Sequence, residues 1–171
     1  LKTWGGAQND QCKGVVVTSQ DELYAVGQFT GTATFEEERR LTAANETDLF
    51  VWKMSNAAET QWLRHIATNQ DIFGAELAVD AQDNLLFGLG IAQPATFQSH
   101  GGTQEEITPT GSERMPVFVS YDPQGGFRGA LAASQSMGDA HFGEIAVGNN
   151  TAYIDCVIHD GPHVFGRDSS T

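Results

Sequence analysis

Apolar residues in this chain come in short runs, and each run is closed by polar or glycine-rich turns. Gly14 to Thr18 is one run and ends at Ser19-Gln20-Asp21. Leu23 to Phe29 is β-branched and aromatic and ends at Thr30-Gly31, Thr32 to Phe35 alternates, and Leu49 to Met54 is a further run. Runs of this length and composition predict strands, because branched and aromatic side chains fit a pleated surface. Within 59–78, Trp62, Ile66 and Ala67 fall at helical spacing. That segment aligns with Leu1 to Gly6, and Gly5-Gly6 would break a helix, so Gln61 to Ile66 is expected to be a strand.

The alignment is part of an internal repeat. Leu23-Tyr24-Ala25-Val26 returns 62 residues later as Leu85-Leu86-Phe87-Gly88. The same offset places Ala33-Thr34-Phe35 on the identical Ala95-Thr96-Phe97, Gln20-Asp21 on Gln82-Asp83, Val17 on Val79, Trp4 on Ile66 and Leu1-Lys2 on Leu63-Arg64. A third copy opens where Phe73 to Val79 returns as Phe142 to Val147 with one residue dropped. Asp10, Asp71 and Asp139 precede corresponding segments. Asp48 to Lys53 is aligned with Pro116 to Tyr121, across an insertion near Gly101-Gly102. Repeat 1 thus spans about 1–62, repeat 2 about 63–129 and a partial repeat 3 about 130–171, together forming one β-repeat domain, 1–171. Four short strands per repeat predict an all-β fold of β-propeller-like blades, about two and a half of them. Leu23, Val26, Phe29, Phe50, Val79, Leu85, Phe87, Ile145 and Val147 are the expected core.

Composition narrows the function. Hydrophobic residues make up 40% of the chain, charged residues only 18%, and Gly reaches 19, which suits many strands joined by turns. A net charge of −13 opposes binding to nucleic acid or an anionic membrane. No apolar run approaches the ~20 residues of a membrane helix. Two cysteines, Cys12 and Cys156, make no disulfide framework and leave pairing open. Sequons occur at Asn45-Glu46-Thr47 and Asn149-Asn150-Thr151.

Trp4-Gly5-Gly6, Asp10, Tyr24, Gly27, Phe29, Gly31-Thr32-Ala33 with Phe35, and Asp48 to Lys53 in the first copy resemble a bacterial β-propeller repeat family of large secreted and cell-surface proteins. Ala78-Val79-Asp80, Asp83-Asn84, Ala95 and Phe97 carry the resemblance into the second copy. The third copy lacks the Gly-Thr-Ala-x-Phe element, and Glu36 to Arg40 replaces the family's glycines. The resemblance implies an extracellular or cell-surface location and a binding or scaffolding role, with no shared catalytic residues.

Chemistry read from the residues is sparse. Gly88-Leu89-Gly90 lacks the third glycine of a dinucleotide loop, and Pro94 to Phe97 continues a strand. His159, Asp160 and His163 lie near Cys156, but Gly161-Pro162 between them reads as a surface turn. Asp80, Asp83 and Asn84 are oxygen ligands that calcium takes, and equally residues that cap turns. No catalytic, cofactor-binding or metal residue is assigned, and no cofactor is expected, calcium being the one considered. Glu36 to Arg40 reads as a solvated hairpin tip. The expected function is a non-catalytic protein-binding or scaffolding module. One alternative is a carbohydrate-binding module using exposed Trp52 or Trp62. The other is an enzyme with Asp10, Asp71 and Asp139 at the propeller axis. Repeats of this type close as rings of several blades, so the split blade at the two ends predicts either an excerpt of a longer chain or self-association, and self-association is the favoured expectation because the split ends suit strand exchange between copies.

Overall fold

The structure, a computed structural model, describes residues 3–36, 39–68, 76–109, 114–132, 141–148 and 151–157. It is all-β, with antiparallel strands throughout the described residues. The first unit is a four-stranded meander of β2 (Asp10–Val17), β3 (Leu23–Thr34), β4 (Arg40–Met54) and β5 (Thr60–Ala67). A short β1 (Gly5–Gly6) pairs with the far end of β3. The second unit is β6 (Leu77–Val79), β7 (Leu85–Ile91), β10 (Met115–Tyr121) and β11 (Phe127–Ala132). Between its middle strands an arm, β8 (Ala95–Gln98) and β9 (Gln104–Ile107), leaves that sheet and pairs with the edge of β5. A hairpin of β12 (His141–Gly148) and β13 (Thr151–Val157) follows, β12 lying against β6 and β7. Gln61 to Ile66 is indeed strand.

The units are equivalent in register as well as in order. Val17 pairs with Leu23 and Val79 with Leu85, a shift of 62 on both strands. On the third strand, Met54 opposes Leu23 and Tyr121 opposes Leu85, a shift of 67. Asp48 to Lys53 therefore corresponds to Met115 to Ser120, one residue earlier than the sequence alignment places it. Strands buried on both faces read alike in either register, so hydrophobicity alone does not fix the pairing there. Residues 5 and 6 pair with the arm of the first unit as β5 pairs with the arm of the second, Gly5 with Thr34 and Ala67 with Thr96.

All four turns at one end of the two meanders are built alike. The first residue donates its N–H to the fifth residue's carbonyl, and the fourth donates back to the first, in 18–22, 55–59, 80–84 and 122–126. The fourth residue takes a left-handed conformation in each: Asp21 φ 58°, Ala58 φ 60°, Asp83 φ 60° and Gly125 φ 79°. The first residue's side-chain oxygen (Thr18, Ser55, Asp80 or Asp122) accepts the N–H groups of the third and fifth. Hydroxyl and carboxylate thus serve one purpose, satisfying two donors that the turn would otherwise leave open.

In the first unit the arm is continuous with β3 and β4 but doubles back over the sheet. Phe35, at the far end, has its ring centroid 5.4 Å from that of Trp52, whose partner is Ala25 at the near end. A straight strand would separate those levels by about 33 Å. The bend falls at Gly31 (φ 66°), between the pairs Thr30 with Thr47 and Thr32 with Thr42, so residues 43–46 form a bulge. Buried Asp48 fixes this corner, accepting from the N–H groups of Ala44 at 2.7 Å and Thr68 at 2.8 Å. His65 Nε2 lies 2.6 Å from the same carboxylate. Met115 stands at the equivalent place in the second unit, and after Ile91 the chain breaks at residues 92–94 instead. Both arm tips are nevertheless tethered alike: Glu36 accepts the N–H of Thr60, and Ser99 that of Phe127.

The largest core lies between the units. Tyr24, Val26, Leu49, Val51, Trp62 and Ile66 from the first meet Leu85, Phe87, Leu89, Val117, Val119 and Tyr121 from the second. A smaller core of Ala25, Phe29, Ala33, Phe35, Phe50 and Trp52 lies on the first unit's opposite face, completed by Trp4 and Leu63. The second unit's face toward the first is the counterpart of that opposite face, so the units stack front to back. Of the expected core, Val26, Phe29, Phe50, Leu85 and Phe87 are fully buried. Leu23, Val79, Ile145 and Val147 are half-buried.

Candidate functional site

Polar side chains converge where the first unit meets the two end turns of the second. Lys53 follows Trp52 on β4, and strand alternation turns it to the face that meets the second unit, between its cross-strand partners Tyr24 and Trp62. It is almost fully buried. A buried ammonium requires partners, and it has three kinds: it donates to the carbonyl of Pro123 at 3.1 Å, pairs with Glu22 at 2.7 Å, and lies 5.5 Å from the Tyr24 ring centroid. The Trp62 indole N–H donates to the same Pro123 carbonyl at 2.9 Å. Arg64 donates from Nε to Gly125 O at 2.9 Å and from Nη2 to Gln124 O at 3.3 Å, with its guanidinium over Trp62. Three successive turn carbonyls are thus read by three side chains of the first unit.

The other turn is gripped by its carboxylate. Asp83 accepts from the Ser19 N–H at 2.8 Å and the Ser19 hydroxyl at 2.7 Å, and its carbonyl accepts from the Tyr24 hydroxyl at 3.0 Å. The Ser19 backbone and hydroxyl bonds hold the Asp83 carboxyl below its ordinary range, since they favour the charged form. Lys53 and then Gln61, both hydrogen-bonded to Glu22, lower that carboxyl likewise. Burial raises the Tyr24 and Tyr121 hydroxyls and lowers Arg64. Each group is engaged by partners within the fold.

The residues singled out from sequence fare differently. Trp52 and Trp62 are 3% and 7% exposed, which corrects the picture of either as an exposed sugar platform. The Trp52 indole instead donates to Thr60, and both rings pack in the cores. Asp10 accepts the N–H of Gly6 and ties β1 to β2; its second oxygen is buried and has no partner among the described residues. Asp71 and Asp139 of the axial acidic site, and His159, Asp160 and His163 of the histidine cluster, lie outside the described residues. Asp80 spends its carboxylate on the N–H groups of Gln82 and Asn84 and on the Asn84 amide. Among the described residues no group of three or more His, Cys, Asp or Glu side chains is arranged to hold a metal. Cys12 is exposed and unpaired, its thiol raised by partial desolvation. Gly88 to Gly90 lies inside β7. No helix among the described residues is long and apolar enough to cross a membrane.

Sequence reasoning missed the seam. Lys53 and Arg64 were readable as single charges inside apolar strands, which is the signal of a buried, partnered cation. What they would touch depends on how the units stack, and no local pattern supplies that. Comparison with protein-family models, with curated proteins and with solved structures finds no match.

Proposed function

We propose that the chain is a non-catalytic binding or scaffolding module built from propeller-type repeat units and working outside the cell or at its surface. The observation that carries this reading is the front-to-back stacking of two register-equivalent units through a seam that consumes the polar side chains at their interface. Units that bury one another in this way form a platform, and their chemistry goes into holding the platform together. The extracellular setting rests on the resemblance of the repeat alone.

The test has two arms. A hydrolase screen of the chain, with Asp10→Asn and Asp71→Asn as controls, is expected to find no turnover; turnover abolished by either substitution would replace the scaffold with an enzyme. Light scattering across a concentration series addresses self-association, and a dispersed monomer of 18.4 kDa throughout would leave a heterologous partner as the scaffold's role.

A further inference from the structure

The second unit's face toward the first is a receiving face, and each of its parts has a counterpart on the first unit's opposite face. Leu77 and Val79 pack into the core between the units; at the same register Val15 and Val17 are 60% and 52% exposed. Asp83 grips Ser19, whereas the Asp21 carboxylate is exposed and bonded to nothing described. The Pro123, Gln124 and Gly125 carbonyls are filled by Lys53, Trp62 and Arg64, whereas those of Asn56, Ala57 and Ala58 accept no hydrogen bond among the described residues. Gly5 pairs with Thr34 as Ala67 pairs with Thr96, so the strand-edge part of this second receiving face is already in use.

We propose that the first unit's outer face, formed by Val15, Val17, Asp21 and the 56–58 turn, is a docking surface for a further repeat unit that presents a buried-type lysine and other N–H donors from its third and fourth strands. This deepens the stacked-repeat reading and rests on it. The acid and the open carbonyls call for cationic and N–H donors, and the exposed valines for an apolar strand beside them.

A second copy of this chain does not fit. Its first-unit donors are engaged by its own second unit. Its second unit carries Ser120, Gly129 and Leu131 where the first carries Lys53, Trp62 and Arg64, and Leu86 for Tyr24. One detail also shapes the occupant. A methyl on Gly125 would lie 2.6 Å from Arg64 Nη2, yet its counterpart Ala58 has one. The occupant therefore carries a slimmer cation at the Arg64 position, and in the 62-residue register the residue at that position is Lys2.

The experiment is a tandem duplication in which residues 1–62 precede the intact 171-residue chain, which keeps the register because Leu1 falls on Leu63. Hydrogen exchange should show the N–H groups of 18–22 and 55–59 in the original first unit protected about tenfold more than in the unduplicated chain. Lys53→Met in the added unit, or Asp21→Asn in the original, should remove that gain. No gain, a gain insensitive to both substitutions, or a duplicated chain that does not fold overturns the proposal. So does the same protection arising in the unduplicated chain at high concentration, which would make a second copy the occupant. Arg64→Leu in the unduplicated chain separates the two readings. If 122–126 keeps its protection there, the stacked-repeat reading fails; if it loses it while the duplication shows no gain, the docking proposal fails alone.

Discussion

The two units share a fold yet hold their arms by different means. In the first unit, Gly31 and the buried Asp48 let one continuous hairpin turn a corner and cover its own sheet. In the second, Met115 replaces that aspartate, the strand breaks before Pro94, and the freed arm pairs with its neighbour's edge at Ile66 and Ala67. The arm lands in the same place in each case, with Phe35 and Phe97 buried and the tip tethered to the first N–H of the fourth strand. The destination is set by the aromatic residue and the tether, while the route can vary.

The largest effect is expected in the core. Phe50→Ala should cost about 2–5 kcal/mol by urea titration, and Val117→Ala, the smaller residue at the same position, less. An unchanged melting temperature for Phe50→Ala would remove β4 from the core. Asp48→Ala strands the Ala44 and Thr68 N–H groups and should cost about 1–3 kcal/mol. Exchange at 40–44 should rise with it; if the arm stays protected, the corner is held by the aromatic contacts alone.

Smaller effects are expected at the turns. Gly125→Ala forces a methyl against Arg64 and should destabilise by about 1 kcal/mol or more. Ala58→Gly relieves a left-handed alanine and should stabilise by up to about 1 kcal/mol. Equal effects would mean the two turns are not equivalent. The smallest effect is acid. Asp83 and Glu22 have folded pKa values below their unfolded values of about 4, so their contribution is complete above that pH and lost as pH falls through the lowered values. Fluorescence of Trp62, which sits on this seam, should report the loosening, and Asp83→Asn should blunt the transition. A profile identical in Asp83→Asn would remove Asp83 from the seam's acid response.

Much of the fold is legible in the sequence. The identical Ala33-Thr34-Phe35 and Ala95-Thr96-Phe97 give the repeat, and the 62-residue offset matches the pairing of the first two strands of each unit. The third strand slipped by one because Val117 and Phe118 suit either register. Trp52 and Trp62 were misplaced because large amphipathic rings occur both at surfaces and in cores, and only the stacking of sheets decides between them. The seam was invisible for the same reason: its acceptors are main-chain carbonyls, which carry no sequence signature.

The arm's landing place also bears on the order of events during synthesis. Strand β5 is complete as a sequence when residue 67 emerges, but its outer edge acquires a partner only after residues 95–98 have followed. Until then it is an open edge, able to recruit a neighbouring nascent chain. The first unit is thus finished by the second, and its maturation trails translation by about half a repeat.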